Sequence, residues 1–77
     1  MKALRSREHR MLCTVLAEAR MQAGLTQRGL AERLKRPHSY VAKIEGGERR
    51  IDVLEFAELA RALRLGPCKL LVEVLNR

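Results

Sequence analysis

The sequence predicts an all-α protein, five short helices folded into one compact domain. Three observations point there. Apolar residues recur at three- and four-residue steps through most of the chain, the spacing of a helix with one buried face. Gly24, Pro37, Gly46-Gly47 and Gly66-Pro67 cut that pattern into helix-length pieces. No alternating β-branched run lies between the breaks, so no strand is expected. A length of 77 residues admits a single modest core, and 47% hydrophobic residues suffice to collapse it.

Residues 1–10 read as a basic arm holding Arg5, Arg7 and Arg10, with residues 11–77 as the folded domain. In the first helix Met11, Leu12, Val15, Leu16, Ala19 and Ala23 form one apolar face, and Gly24 ends it. Thr26 is the N-cap of a second helix whose inner positions are Leu30, Ala31 and Leu34. That helix must stop by about Lys35, because the residue before Pro37 avoids the helical region. Proline suits a first helical turn, so the third helix is expected to open at Pro37 and to run to about residue 45, with Val41 and Ile44 inward. Asp52 and Glu55 form a capping box for the fourth helix, with Leu54, Phe56, Ala57, Ala60 and Leu63 assigned to its inner side. The last helix carries the stripe Leu70, Leu71, Val74 and Leu75, which its spacing allows to be core or dimer seam.

Composition narrows the function classes. Sixteen Lys and Arg against nine Asp and Glu leave a formal charge of +7, which points to a polyanionic partner. The charge is unevenly placed: residues 1–10 carry +3, 11–34 carry +1, 35–50 carry +3, and 51–77 are neutral. No apolar run approaches the roughly 18 residues a membrane span needs, and the stretch Met11–Ala17 is too short and too soon interrupted for a secretory signal. A soluble, cytoplasmic protein is expected. Cys13 and Cys68 stand 55 positions apart with no CxxC, and neither His9 nor His38 has companion ligands, so no metal site is expected. No nucleophile–base constellation or paired carboxylates are legible, and Gly46-Gly47 follows no strand as a phosphate loop would. The chain reads as a non-enzyme without a cofactor or a small-molecule ligand.

The centre of the chain, GLTQRGLAERLKRPHSYVAKIEGGERR, carries the function. Two short helices separated by about three residues cannot lie antiparallel; they cross steeply, as in a helix-turn-helix. His38, Ser39, Ala42 and Lys43 occupy the outer side of the second of them. Such small or polar side chains suit the major-groove edges of bases, Lys favouring guanine O6 and N7.

This segment resembles the Cro/C1-type, or XRE-type, helix-turn-helix regulators. The matching marks are LTQRGLAERL, PHSYVAKIE and GGERRIDVLEFAELARAL, and the resemblance covers about residues 12 to 75. It implies a lambda-repressor-like domain that binds double-stranded DNA as a homodimer on near-palindromic operators. By the same resemblance Gln27 contacts a phosphate and braces the recognition helix, while His38, Ser39 and Lys43 read bases. Arg36 and Tyr40 flank the DNA backbone, and Arg49 and Arg50 approach phosphates from the following loop. Arg20 and Glu45 are expected to form a partly buried salt bridge between the first and third helices. Arg28 is a further phosphate candidate on the second helix, Arg33 a solvated charge, and the Tyr40 ring has core packing as its alternative role. The dimer seam is placed on the fifth helix and the end of the fourth. Two positions depart from the family pattern. Lys35 stands at a turn position that favours positive φ, and Gly29 stands where an acidic partner for Thr26 is usual. The implied function is a sequence-specific transcriptional regulator, repressor-like. An antitoxin or a restriction–modification controller of the same fold remains open, as does a helical interaction module that does not read DNA.

Overall fold

Side-chain caps set where three of the five helices begin. In the computed structural model, which describes residues 6–77, the Ser6 hydroxyl accepts from the His9 amide at 3.0 Å and opens α1 (Arg7–Gln22). This moves the boundary drawn from the sequence. Arg7 and Arg10 belong to the first turns of α1, because a serine cap four residues ahead of Arg10 starts the helix earlier than the apolar pattern does. Residues 1–5, and with them Arg5 of the basic arm, lie outside the described residues.

The second helix, α2 (Gln27–Leu34), starts at Thr26, whose Oγ1 accepts from the Gly29 amide at 2.9 Å. Gly29 therefore keeps the half of the capping box that its backbone supplies and forfeits only the carboxylate that would have answered it. α2 ends on Lys35 in the left-handed region, φ 57° and ψ 43°, with the Arg36 amide bonding back to the Ala31 carbonyl at 3.0 Å. Lys35 thus adopts the positive φ that its turn position favours, and a second residue does the same. Arg64, at φ 60°, closes α4 (Val53–Ala62) in the same way, with the Leu65 amide reaching the Ala60 carbonyl at 2.8 Å.

Each of these residues costs about 1–2 kcal/mol relative to a relaxed conformation; glycine would relieve that strain but cost about 0.5–1 kcal/mol through its freer unfolded chain. Lys35→Gly and Arg64→Gly are each expected to raise stability by about 0.5–1 kcal/mol, additively since they close different turns. Urea unfolding checks this: the midpoints should move up at constant m-value, and a fall for either variant would reveal side-chain contacts that offset the strain.

The third helix, α3 (Ser39–Glu45), is shorter than its sequence reading. Pro37 lies outside it; its carbonyl accepts from the Tyr40 amide at 2.9 Å, and His38 caps the helix in αR conformation without a side-chain bond. Gly47, at φ +77°, lets the Glu48 amide fold back to the Lys43 carbonyl and end it. The Asp52–Glu55 capping box opens α4 with both reciprocal bonds, 2.7 and 3.1 Å. α5 (Pro67–Leu75) begins on proline at its first position.

The core gathers Val15 and Leu16 from α1, Leu30 and Ala31 from α2, Val41 and Ile44 from α3, Leu59 and Ala60 from α4, Leu63, and Leu70 and Val74 from α5. α1 packs on α3 and α5, α2 on α3 and α4, and α4 on α5. The phase assigned to α4 needs correcting. Leu54 is 75% exposed, and the buried side runs Phe56, Leu59, Ala60, Leu63, the i, i+3, i+4, i+7 series starting two residues later. Ala23, placed on the inner face of the first helix, is exposed at its C-cap. Arg77 ties the C-terminus to α1 through an ion pair with Glu18.

Candidate nucleic-acid interface

One ion pair fixes α3 against the rest of the fold. Arg20, near the end of α1, donates through Nε to Glu45 Oε2 at 2.7 Å and through Nη2 to Oε1 at 3.1 Å. Its Nη1 reaches the Leu25 carbonyl at 2.7 Å, and Gln27 Nε2 donates to Glu45 Oε1 at 2.9 Å. Arg20 and Glu45 retain 13% and 8% side-chain exposure, so the pair works in a largely desolvated place. The Arg20–Glu45 pair thereby joins α1, the 24–26 turn, the start of α2 and the end of α3. Gln27 braces the end of α3 through the Glu45 carboxylate.

With α3 so held, its two sides separate cleanly. Tyr40, Val41 and Ile44 are buried; His38, Ser39 and Lys43 are exposed, and Ala42 is half-buried among them. The three side chains expected to read bases therefore share one open face. His38 Nε2 lies 3.4 Å from Glu32 Oε2 across the turn, an ion pair only while the imidazole is protonated. Tyr40 does not join that face. Its side chain packs in the core at 7% exposure, and burial pushes its phenol above the ordinary range.

The cations around Tyr40 are not solvated singly. The Arg36 and Arg49 guanidinium carbons sit 4.9 and 4.8 Å from the centre of its ring. Glu55 of α4 grips Arg49 with both oxygens, at 3.1 and 3.0 Å, while Arg36 bonds Glu58 at 3.0 Å and lies 4.0 Å from Glu55. The Arg49 guanidinium, with help from the Asp52 amide, holds the Glu55 carboxyl below the usual carboxylate range. Arg28 and Arg50 remain exposed on either side of α3 in sequence, and Arg50 offers its carbonyl to Arg49 Nη1 at 2.7 Å. Arg33, read as a solvated charge, donates to the Ala62 carbonyl at 2.9 Å and caps the end of α4. Position in the chain could not reveal that bond, since α2 and α4 meet only in the fold.

The stripe on α5 splits. Leu70 and Val74 are core at 3% and 4% exposure, which removes them as dimer candidates, while Leu71 and Leu75 stay open. The end of α4 is likewise buried through Leu59, Ala60 and Leu63; its exposed apolar residues are Val53 and Leu54 at the start. A shallow apolar groove of about 200 Å³ runs between Leu12, Ile51, Val53, Phe56 and Leu71. Among the described residues no helix is long and apolar enough to cross a membrane.

A family model described as a helix-turn-helix domain matches residues 12–71. A solved XRE-family like protein from Pseudomonas syringae pv. tomato is 41% identical, covering 97% of this chain and 92% of its own, with a TM-score of 0.87. The chain belongs to the XRE-type helix-turn-helix family. Also similar to this XRE-type chain is the restriction-modification controller protein C.AhdI from Aeromonas hydrophila. It is 31% identical over 84% of this chain and 98% of its own, with a TM-score of 0.77. The clp gene regulator ClgR from C. glutamicum, 24% identical over 92% of this chain and 91% of its own, shares the fold at a TM-score of 0.82. No curated protein matches. The five helices of the XRE-type chain, with α2 packed on α3, are thus those of its family, and the Glu55 and Glu58 grip on two arginines is the part that sequence reasoning missed.

Proposed function

We propose that this XRE-type regulator binds double-stranded DNA in a sequence-specific, repressor-like manner, laying the outer face of α3 in the major groove. The observation that carries the reading is the sidedness of α3. Its inner residues are locked into the core and by the Arg20–Glu45–Gln27 bonds, and its outer residues are three exposed hydrogen-bonding side chains. In this reading His38, Ser39 and Lys43 meet base edges, while Gln27, Arg28 and Arg50 set register on phosphates. Arg36, Tyr40 and Arg49 then flank that face and support it. Action is in the cytoplasm, as a homodimer on a near-palindromic operator, because one helix of seven residues offers few base contacts. The likeness to C.AhdI, nearly all of whose chain is matched, makes a restriction–modification controller role fit the same face equally.

Fluorescence anisotropy across a salt series tests the reading, with the operator taken from selection out of a random duplex library. Lys43→Ala should relax base preference at its position and cost about 1–3 kcal/mol on the operator. Arg50→Ala should weaken operator and random duplex alike and shallow the log–log salt slope by about 0.9. A salt-independent response of the wild-type protein, or a sequence-selective loss at Arg50, would overturn these assignments.

A further inference from the structure

Charge counted along the chain assigns +3 to residues 35–50, but the fold redistributes it. Arg36 and Arg49, two of the five cations in that segment, are answered by Glu55 and Glu58 from the neutral C-terminal half. The two guanidinium groups lie over the Tyr40 ring, and the two carboxylates neutralise them from α4. The two arginines line a cleft of about 270 Å³ together with Pro37, Ser39, Tyr40 and Lys43. That cleft opens beside two of the side chains proposed to read bases, where a backbone phosphate would naturally fall. Left unpaired, the two guanidinium groups would be strong phosphate ligands.

Resting on the proposed DNA-binding role, we infer that Glu55 is a specificity-determining residue that occupies Arg49, and with Glu58 Arg36, in place of DNA phosphate. Three features make Glu55 suited to this. Its carboxylate meets Arg49 in the two-pronged geometry that a phosphate would use. It is tethered by the Asp52 amide at 3.1 Å, so it does not drift away with its α4 neighbours. Its side chain is only 16% exposed, so water weakens the pair less than it would at an open surface. The consequence is selective. Phosphate contacts add affinity for every sequence, whereas Lys43, Ser39 and His38 distinguish bases. Holding two arginines off the backbone lowers the sequence-independent share of binding and leaves the discriminating share intact.

The test compares wild type, Glu55→Gln, Arg49→Gln and the double variant on operator and random duplex over a salt series. Glutamine at 55 can still accept from the Asp52 amide, so the α4 cap survives. Glu55→Gln is expected to steepen the log–log slope by about 0.9, or about 1.8 if Arg36 is released as well. A slope change of 0.9 means about eightfold more gain in random-duplex affinity for each tenfold drop in salt. The ratio of operator to random-duplex affinity should fall correspondingly. Arg49→Gln alone should leave the slope as in wild type, and the double variant should return it most of the way there. Glu58→Gln, outside the capping box, provides an independent release of Arg36 with its own steepening of about 0.9. The inference is overturned if Arg49→Gln alone shallows the slope, since Arg49 would then already sit on a phosphate. It is equally overturned if Glu55→Gln lowers the melting temperature and weakens both duplexes at an unchanged slope. A flat salt response in wild type would instead bring down the DNA-binding role itself, an outcome distinct from unchanged slopes on a salt-dependent wild type.

Discussion

Replacing Glu45 by glutamine is expected to cost about 3 kcal/mol of stability, the lower end for a broken buried ion pair because a little solvent still reaches this one. The loss has a definite origin. Arg20 keeps its charge and its bond to the Leu25 carbonyl but loses the counter-charge that two of its nitrogens meet, at 2.7 and 3.1 Å. For a domain of this size the melting temperature should fall by about 12–24 °C, readable by circular dichroism because the fold is entirely helical. Replacing both partners by apolar residues, Arg20→Met with Glu45→Leu, should recover much of the loss by removing the stranded charge. DNA binding by that double variant should not recover equally, since Gln27 and α3 would no longer share an anchor. A loss below about 1 kcal/mol for Glu45→Gln would mean that water screens the pair as at an open surface.

The second large effect concerns self-association. Val53 and Leu54 are 81% and 75% exposed at the start of α4; Leu71 and Leu75, one turn apart on α5, are 45% and 56% exposed. Val53 and Leu71 line the shallow groove, and all four residues lie in the neutral half of the chain. A second copy covering them would explain why such residues are retained on a surface. In a two-fold dimer each substitution occurs twice, so a leucine that contributes about 1.5–3 kcal/mol contributes double to the interface. Leu54→Glu and Leu75→Glu are each expected to weaken the dimer by about 100-fold or more. Sedimentation should show dimeric wild type at micromolar concentration and monomeric variants. Affinity for a two-half-site operator should drop, while affinity for a single half-site holds. Dimeric variants would move the seam elsewhere.

Much of this was legible in the chain, and the failures are specific. Helix breaks at Gly24, Gly46-Gly47 and Gly66-Pro67 were readable because they depend on local backbone geometry. So was the Asp52–Glu55 cap, three residues wide. The Arg20–Glu45 contact came from family resemblance; spacing alone does not imply a bond across 25 positions. Leu54 was misplaced because an amphipathic series can be started at either of two apolar residues, and only packing against α2 and α5 chooses between them. Tyr40 illustrates the same limit on a functional residue: its ring is buried at a position whose neighbours Ser39 and Lys43 face outward. The Glu55 and Glu58 pairing was invisible for a different reason. Summing charge along segments treats each as closed, whereas α4 reaches across to neutralise cations of the turn before α3 and the loop after it.

The two cysteines give the molecule a built-in pair of chemical reporters. Cys68 is exposed on the first turn of α5, while Cys13 is buried, and burial raises its thiol above the ordinary range. Cys13 shares a cavity wall with Glu45, Gly46 and Gly47, where the end of α3 meets α1. A thiol reagent would therefore consume Cys68 promptly and Cys13 more slowly. The slower trace would report how closely the end of α3 seats against α1, in the native protein and with no label to install.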